Sequence, residues 1–216
     1  MMRETLATRA APFGLITMGV VAKDEATPQT LYLLGTGPTF WPVFTGSPEY
    51  RDGKPDPLDR WSMRVLPEIA AHLPATVVDI VYPFGGPPYA PFLRWATETG
   101  EAHQSPVGML VHEDAGLMIS YRGGIVVDGV HDTLRGPARA PCETSCPNQP
   151  CTTACPVDAL SAADGYNVDA CHAYLDTAAG QDCLQNGCKA RRACPISQRF
   201  GRDTAQSAFH MKSFHP

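Results

Sequence analysis

All eight cysteines of this 216-residue chain lie at or beyond position 142. A stretch so short and so rich in thiols lacks the apolar surface to fold on a core of its own, and needs cross-links or metal to hold it. The residues before it must fold by ordinary burial. Between the two parts, Gly136-Pro137-Ala138-Arg139-Ala140-Pro141 is built of proline and small residues and reads as a linker. The expected organisation is a cysteine-free domain over residues 1–135, a linker over 136–141 and a second domain over 142–216. A helical tail around Gln206-Ser207-Ala208-Phe209-His210-Met211 is expected to close it.

The cysteines fall into two groups, each ending in Cys-Pro. The first reads Cys142-x3-Cys146-x4-Cys151-x3-Cys155-Pro156, and the second reads Cys171, then Cys183-x4-Cys188-x5-Cys194-Pro195. Iron-sulfur clusters need thiolates that converge from several directions, which a short loop followed by a helix supplies. A proline after the last ligand ends the loop and turns the chain away. Two other uses compete. Zinc also takes four thiolates, but its sites normally use paired C-x2-4-C knuckles. Disulfides also use an even number of cysteines and would require export.

Composition narrows the class. Apolar residues make up 44% and charged residues 18%, with 21 prolines and 19 glycines, which suits a compact, loop-rich protein rather than a disordered one. The formal charge of -5 gives no general attraction to phosphate backbones. Nucleic acid is therefore not indicated, although Lys189, Arg191, Arg192, Arg199 and Arg202 form a local basic stretch. No run approaches the roughly 20 apolar residues that a spanning helix needs, so no membrane association is expected. Arg3 and Arg9 precede an apolar run ending in Val20-Val21-Ala22, but Glu4, Pro12 and Gly14 suit a secretion leader poorly. The alternation of Ile16, Met18 and Val20 with Thr17 and Gly19 predicts a strand there. A reducing, cytoplasmic setting is the expectation.

In the first domain, Thr30-Leu31-Tyr32-Leu33-Leu34 predicts a buried strand closed by Gly35-Thr36-Gly37-Pro38, followed by loop through Asp56. Leu58, Trp61, Val65 and Ile69 fall at helical spacing, with Pro67 expected to kink or divide the helix. Residues 75–82 are rich in valine and isoleucine and predict a central strand. A helix is expected from about Pro91 to Thr99, with Gly100 just past its end. Residues 108–112 and 117–127 predict the two arms of an antiparallel hairpin. The mixture predicts an α+β fold in two or three layers. No phosphate-cradling glycine motif, nucleophile elbow or HExxH helix is present.

The cysteine order resembles the two-cluster domain of bacterial ferredoxins, and especially that of the epoxyqueuosine reductase family, in which a long insertion likewise separates the fifth and sixth cysteines. Cys155-Pro156-Val157-Asp158-Ala159-Leu160 is similar to that family's Cys-Pro-x-x-Ala-Leu/Ile. The departure is in spacing, since ferredoxin loops run C-x2-C-x2-C-x3-C. In such ferredoxins three close cysteines hold one cluster and the cysteine before proline reaches across to the other. The resemblance thus implies Cys142, Cys146, Cys151 and Cys194 on one 4Fe-4S cluster, with Cys155, Cys171, Cys183 and Cys188 on a second.

Fragments of the first domain resemble the CblC type of cobalamin-processing protein. They are Thr36-Gly37-Pro38-Thr39 after a strand, Asp56-Pro57-Leu58-Asp59 opening a helix, Leu66-Pro67-Glu68-Ile69 within it, and the run from His112 to Gly123. That run matches the family's His-Pro-x-Phe-Gly-Gly-Trp-Phe-Ala-Ile-Arg-Gly in its histidine, first hairpin glycine and Arg-Gly ending, and lacks its Phe and Trp. The resemblance implies a flavin-reductase/nitroreductase-like domain that binds a corrinoid (cobalamin), reduced by the adjacent clusters. The pocket would be lined by Pro83, Phe84, Gly85, Tyr89, His112, Tyr121 and Arg122. Each has a plainer use: Pro83 to Pro88 as a rigid loop, His112 as a structural histidine, and Arg122 as a surface partner of Glu113 or Asp114. Where the reductase family carries a catalytic Asp, this chain reads Gly85-Gly86-Pro87-Pro88-Tyr89 with no carboxylate, so epoxyqueuosine reduction is not expected and no catalytic residue is assigned. The expected function is electron transfer with a redox partner protein, through to a bound corrinoid. The alternatives are a carrier with no small-molecule site and an RNA-modifying reductase using the basic stretch. Terminal His210 and His215 are expected to be solvated rather than ligands.

Overall fold

The computed structural model describes residues 1–24, 28–132, 135 and 139–216, so residues 136–138 of the expected linker lie outside the described residues. In chain order the elements are α1 (Met2–Ala10), β1 (Leu15–Asp24), β2 (Gln29–Thr36), α2 (Phe40–Thr45), α3 (Pro48–Arg51), α4 (Pro57–Ala70), β3 (Val77–Val81), α5 (Phe92–Glu98), β4 (Ala102–Gln104), β5 (Leu110–His112), β6 (Tyr121–Asp128), α6 (Pro141–Thr144), β7 (Leu160–Ser161), β8 (Gly165–Tyr166), α7 (Val168–Leu175), α8 (Gln181–Asn186), α9 (Lys189–Ala193), α10 (Pro195–Phe200) and α11 (Thr204–Phe214). The fold is mixed α+β with small antiparallel sheets. None of the described helices is long and apolar enough to cross a membrane.

The chain divides into two compact units. One comprises Met1–Glu101 with Ser120–Ala138, the other Ala102–Ile119 with Arg139–Pro216. Residues 102–119, assigned by sequence to the first domain, thus pack with the cysteines instead. The reason is that Val107, Val111 and Leu117 are buried in one apolar cluster with Cys142, Cys151, Ala190, Cys194 and Ile196.

The first unit is built on a four-stranded antiparallel sheet of order β1-β2-β6-β3. In β2, Leu31, Tyr32, Leu33 and Leu34 are all fully buried, so both faces of the sheet are covered. In α4, Leu58, Trp61, Val65, Leu66 and Ile69 face the core, as the helical spacing predicts. Pro67 sits in its last turn, where few backbone bonds depend on it, and the helix runs on to Ala70 undivided. Residues 40–51, expected as loop, form α2 and α3. Pro48 starts α3, and the Ser47 hydroxyl accepts from the Tyr50 amide at 3.3 Å. Their aromatics explain the helices: Phe40 stacks on Phe44 at 5.4 Å, and Trp61 meets Phe40 edge-on at 5.2 Å.

Two further expectations change. β3 is an edge strand, half exposed, because the more apolar β6, with Ile125, Val126 and Val127 fully buried, takes the interior place. The expected hairpin of residues 108–112 and 117–127 does not form. β5 pairs with β4, β6 pairs with β2 and β3, and residues 112–116 close a turn of their own through His112 and Gly116. A bulge in β1 falls at Gly19, whose φ of 126° and the Thr99 methyl 2.3 Å from any added Cβ admit only glycine.

A polar cluster ties the ends of this unit together. Arg3 donates both terminal nitrogens to the two oxygens of buried Glu101, each at 2.5 Å. Asp132 accepts from the Arg3 amide at 2.8 Å and from the Tyr32 hydroxyl at 2.5 Å.

The second unit is made of short pieces. One apolar cluster in it joins Val107, Val111 and Leu117 to Cys142, Cys151 and Cys194. Gly116 has a φ of 58°, and a Cβ there would lie 2.4 Å from the Ser197 amide nitrogen. That close approach lets the Leu117 amide donate to the Ser197 hydroxyl at 2.9 Å. Arg202 donates to the Met118 carbonyl, so α10 and the segment after it clamp residues 116–118.

Candidate metal centre

Short helical turns carry most of the eight cysteines. Cys142 lies in α6, Cys151 in the 3-10 turn Pro150–Thr152, Cys171 in α7 and Cys183 in α8; Cys188 and Cys194 flank α9. Prolines open three of these pieces, Pro141, Pro150 and Pro195, where a missing amide costs nothing and the fixed φ favours a helical turn. All eight cysteines are free thiols.

Their mutual electrostatics sort them into two sets. Burial first, and then the thiolate charges of Cys151, Cys194 and Cys146, push the Cys142 thiol up to about 11. Cys151 is raised in the same way by burial, Cys194 and Cys146. In the other set, burial raises Cys171, with Cys188 and Cys155 adding to it, and burial raises Cys183, with Cys188 beside it. Cys142 and Cys151 thus each lie within electrostatic reach of Cys146 and Cys194, Cys171 within reach of Cys155 and Cys188, and Cys183 within reach of Cys188. Each set joins cysteines on both sides of the gap between Cys155 and Cys171. Among the described residues no three Cys, His, Asp or Glu side chains are gathered tightly enough to hold a single metal ion.

Donors point at the sulfurs. The Ala159 amide donates to Cys155 Sγ at 3.3 Å. Backbone N–H groups at Thr152 and at Cys151 itself favour the Cys151 thiolate, and the Lys189 amide favours that of Cys183. Tyr166 stands close enough to Cys171 to favour its thiolate. Such donors stabilise bound thiolate and tune its redox behaviour.

The basic stretch is not an open patch. Lys189 and Arg192 both reach Asp182, at 3.6 and 2.5 Å, and Arg192 also donates to the Gly187 carbonyl. Arg191 is turned inward and donates to the Leu117 carbonyl at 2.9 Å, with its charge near Cys188 and Tyr166. Sequence reasoning missed both Tyr166 and the inward turn of Arg191, because one arginine among several carries no sign of its direction. In the tail, Phe214 stacks on Tyr166 at 5.9 Å and meets the His172 ring edge-on at 4.7 Å, while His215 contacts Asp176 at 2.9 Å.

The residues expected to line a cofactor pocket are split between the units. His112 belongs to the second, fully buried, where Nδ1 accepts from the amides of Asp114 and Ala115 at 3.1 and 3.4 Å. Pro83, Phe84, Gly85 and Tyr89 lie on the loop after β3, where Tyr82 and Phe84 pack at 5.2 Å and Tyr89 is exposed. Arg122 is neither on the surface nor paired with Glu113 or Asp114. A bulge opposite Leu34 and Gly35 places it against Asp59 at 3.5 Å, and burial lowers its pKa to about 10. Among the described residues, its Nε and the buried Tyr121 hydroxyl have no hydrogen-bond partner. Tyr121 is also raised by burial.

No protein-family model matches the sequence, and no curated protein matches it.

Proposed function

We propose that this chain is an electron-transfer protein that holds two 4Fe-4S clusters, one through Cys142, Cys146, Cys151 and Cys194 and the other through Cys155, Cys171, Cys183 and Cys188. The observation that carries the reading is the sorting of eight free thiols into two sets of four, each drawn from both ends of the cysteine segment. Disulfides would pair the thiols rather than gather them in fours. A single zinc ion holds its sulfurs at about 2.3 Å, hence within roughly 4 Å of one another. A cube takes one thiolate at each of four irons and so spreads them more widely. Bound clusters supply one-electron transfer at low potential. The chain's own part is to bury the thiolates, give them N–H donors and place Arg191 beside them.

Anaerobic purification followed by iron and acid-labile sulfide analysis tests this. Equal iron and sulfide with a reducible brown chromophore is expected; colourless protein holding zinc or S–S bridges would overturn it. The proposal includes a reducing, cytoplasmic setting and a redox partner protein. RNA is a poor fit as a partner, since the basic side chains of α9 are engaged within their own unit.

A second reading concerns the first unit, as a flavin-reductase-like, CblC-like domain that takes a corrinoid as electron acceptor. Its support is a pair of buried donors that lack a partner among the described residues, Tyr121 Oη and Arg122 Nε, which suit the acceptor-rich amide rim of such a ligand. Added cobalamin should shift its visible spectrum on binding, and the shift should weaken in Arg122→Met. An unchanged spectrum leaves the plain electron carrier.

A further inference from the structure

We propose that α11 is a latch over the segment that carries Cys171, anchored at Gln206 and Ser207 and closed by Phe214 and His215, and that its release opens the Cys171 thiol to solutes. The inference goes beyond the two-cluster reading and does not depend on what the thiols hold.

The two ends of α11 are held unequally. At its start the Asp203 carboxylate accepts from the Ala205 amide at 2.7 Å, and Gln206 and Ser207 are buried. A Cβ on Gly187 would lie 2.8 Å from that of Ser207, so the helix seats there only against glycine, whose φ is 88°. The far end rests on side chains near the surface. Lys212 and Ser213 are exposed. Phe214 stacks on Tyr166 at 5.9 Å and meets His172 edge-on at 4.7 Å. The His215 ring lies 4.6 Å from that of His172, and its Nε2 is 2.9 Å from an Asp176 carboxylate oxygen. Asp176 is 71% exposed, so water competes for that contact.

Closure also leaves a buried group unsatisfied. Among the described residues, His172 Nε2 has no hydrogen-bond partner, and the rings of Phe214 and His215 cover it. Release hydrates that nitrogen and so offsets part of what the ring contacts contribute. A helix end held by few contacts near solvent opens at less cost than the whole fold. The segment beneath has little hold of its own. β7 and β8 join through two residue pairs, Leu160 with Tyr166 and Ser161 with Gly165, and residues 162–169 are exposed. Buried Leu175 pins the last turn of α7, which leaves the first turn to move. Cys171 ends that first turn, between the two rings that Phe214 grips, and is partly buried where Cys183 is buried.

The test is a brief pulse of iodoacetamide on the anaerobically purified full chain, with the labelling rate of each cysteine read by peptide mass mapping and iron and sulfide measured on the same samples. Phe214→Ala is expected to speed labelling of Cys171 about fivefold, as the loss of an aromatic pair implies, while Cys142, Cys151 and Cys194 keep their wild-type rates. Phe214→Tyr retains the ring and should stay near wild type. Should Phe214→Ala fail to fold, hydrogen exchange on the wild type decides: the amides of residues 171–172 should exchange in step with those of 213–215 and ahead of those of 207–210. An unmoved Cys171 rate in Phe214→Ala, equal acceleration at all eight cysteines, or exchange at 207–210 as fast as at 213–215 overturns the latch. Failure of the two-cluster reading shows separately, as protein without iron and sulfide, and leaves the comparison of labelling rates intact.

Discussion

Glu101 is almost fully buried, and its charge is met by both terminal nitrogens of Arg3. Removing Arg3 takes a counter-charge from a poorly solvated carboxylate; a fully buried pair would lose about 3–5 kcal/mol, and partly exposed Arg3 brings this to about 2–3 kcal/mol. Arg3→Met is therefore expected to lower the unfolding free energy of the first unit by about that amount in urea titrations, and Arg3→Met/Glu101→Leu should recover much of it. Glu49 shows the more ordinary case. Its bond to Arg64 at 2.5 Å holds its carboxyl below the ordinary value of 4.5. A carboxyl depressed on folding contributes stability that is complete above the unfolded pKa and is lost as pH falls through the folded one. Glu49→Gln should thus cost about 1 kcal/mol at neutral pH. The variant and wild-type curves should converge toward acid, which unfolding midpoints across that range will check.

Gly116 governs how the segment of β4 and β5 docks within its unit. An alanine there carries a left-handed backbone, worth about 1–2 kcal/mol, and drives a methyl against the Ser197 backbone, which has no room to yield. Gly116→Ala is expected to reduce iron retention in the purified protein by more than half, while the unfolding transition of the first unit, followed by tryptophan fluorescence, stays in place. The elements that sequence made legible are those written in local spacing: the apolar stripe of α4, the buried run of β2 and the helix stopped by Gly100. What stayed hidden depends on competition between distant segments. Residues 110–112 and 121–128 are both apolar enough to pair with each other, yet each has a better partner, β4 for one and β2 with β3 for the other. Similarly, Val77 to Val81 has central-strand composition and an edge position, because strand order is set by which neighbour buries most. Prolines at 42 and 48 concealed α2 and α3: α2 packs Phe40 and Phe44 on Trp61, and α3 packs Tyr50 on Trp41 and Phe44.

At the scale of the whole molecule the chain crosses between its two units three times, after residues 101, 119 and 138. A cut at the expected linker would therefore leave the cysteine segment without Val107, Val111 and Leu117. A fragment of residues 139–216 is expected to bind less than half the iron of the full chain after anaerobic reconstitution, and one of residues 102–216 to bind the full amount; equal loading of the two would show that the borrowed segment is dispensable. The same crossing bears on how the protein is made. Domains tend to fold as they leave the ribosome, and the first unit has all its strands once residue 128 has emerged. Ser197 and Arg202, which hold residues 116–118 in place, are translated after all eight cysteines. The hairpin must therefore wait, undocked, until the cysteines it packs with have all been made; on the two-cluster proposal the thiols stay open to iron over that interval.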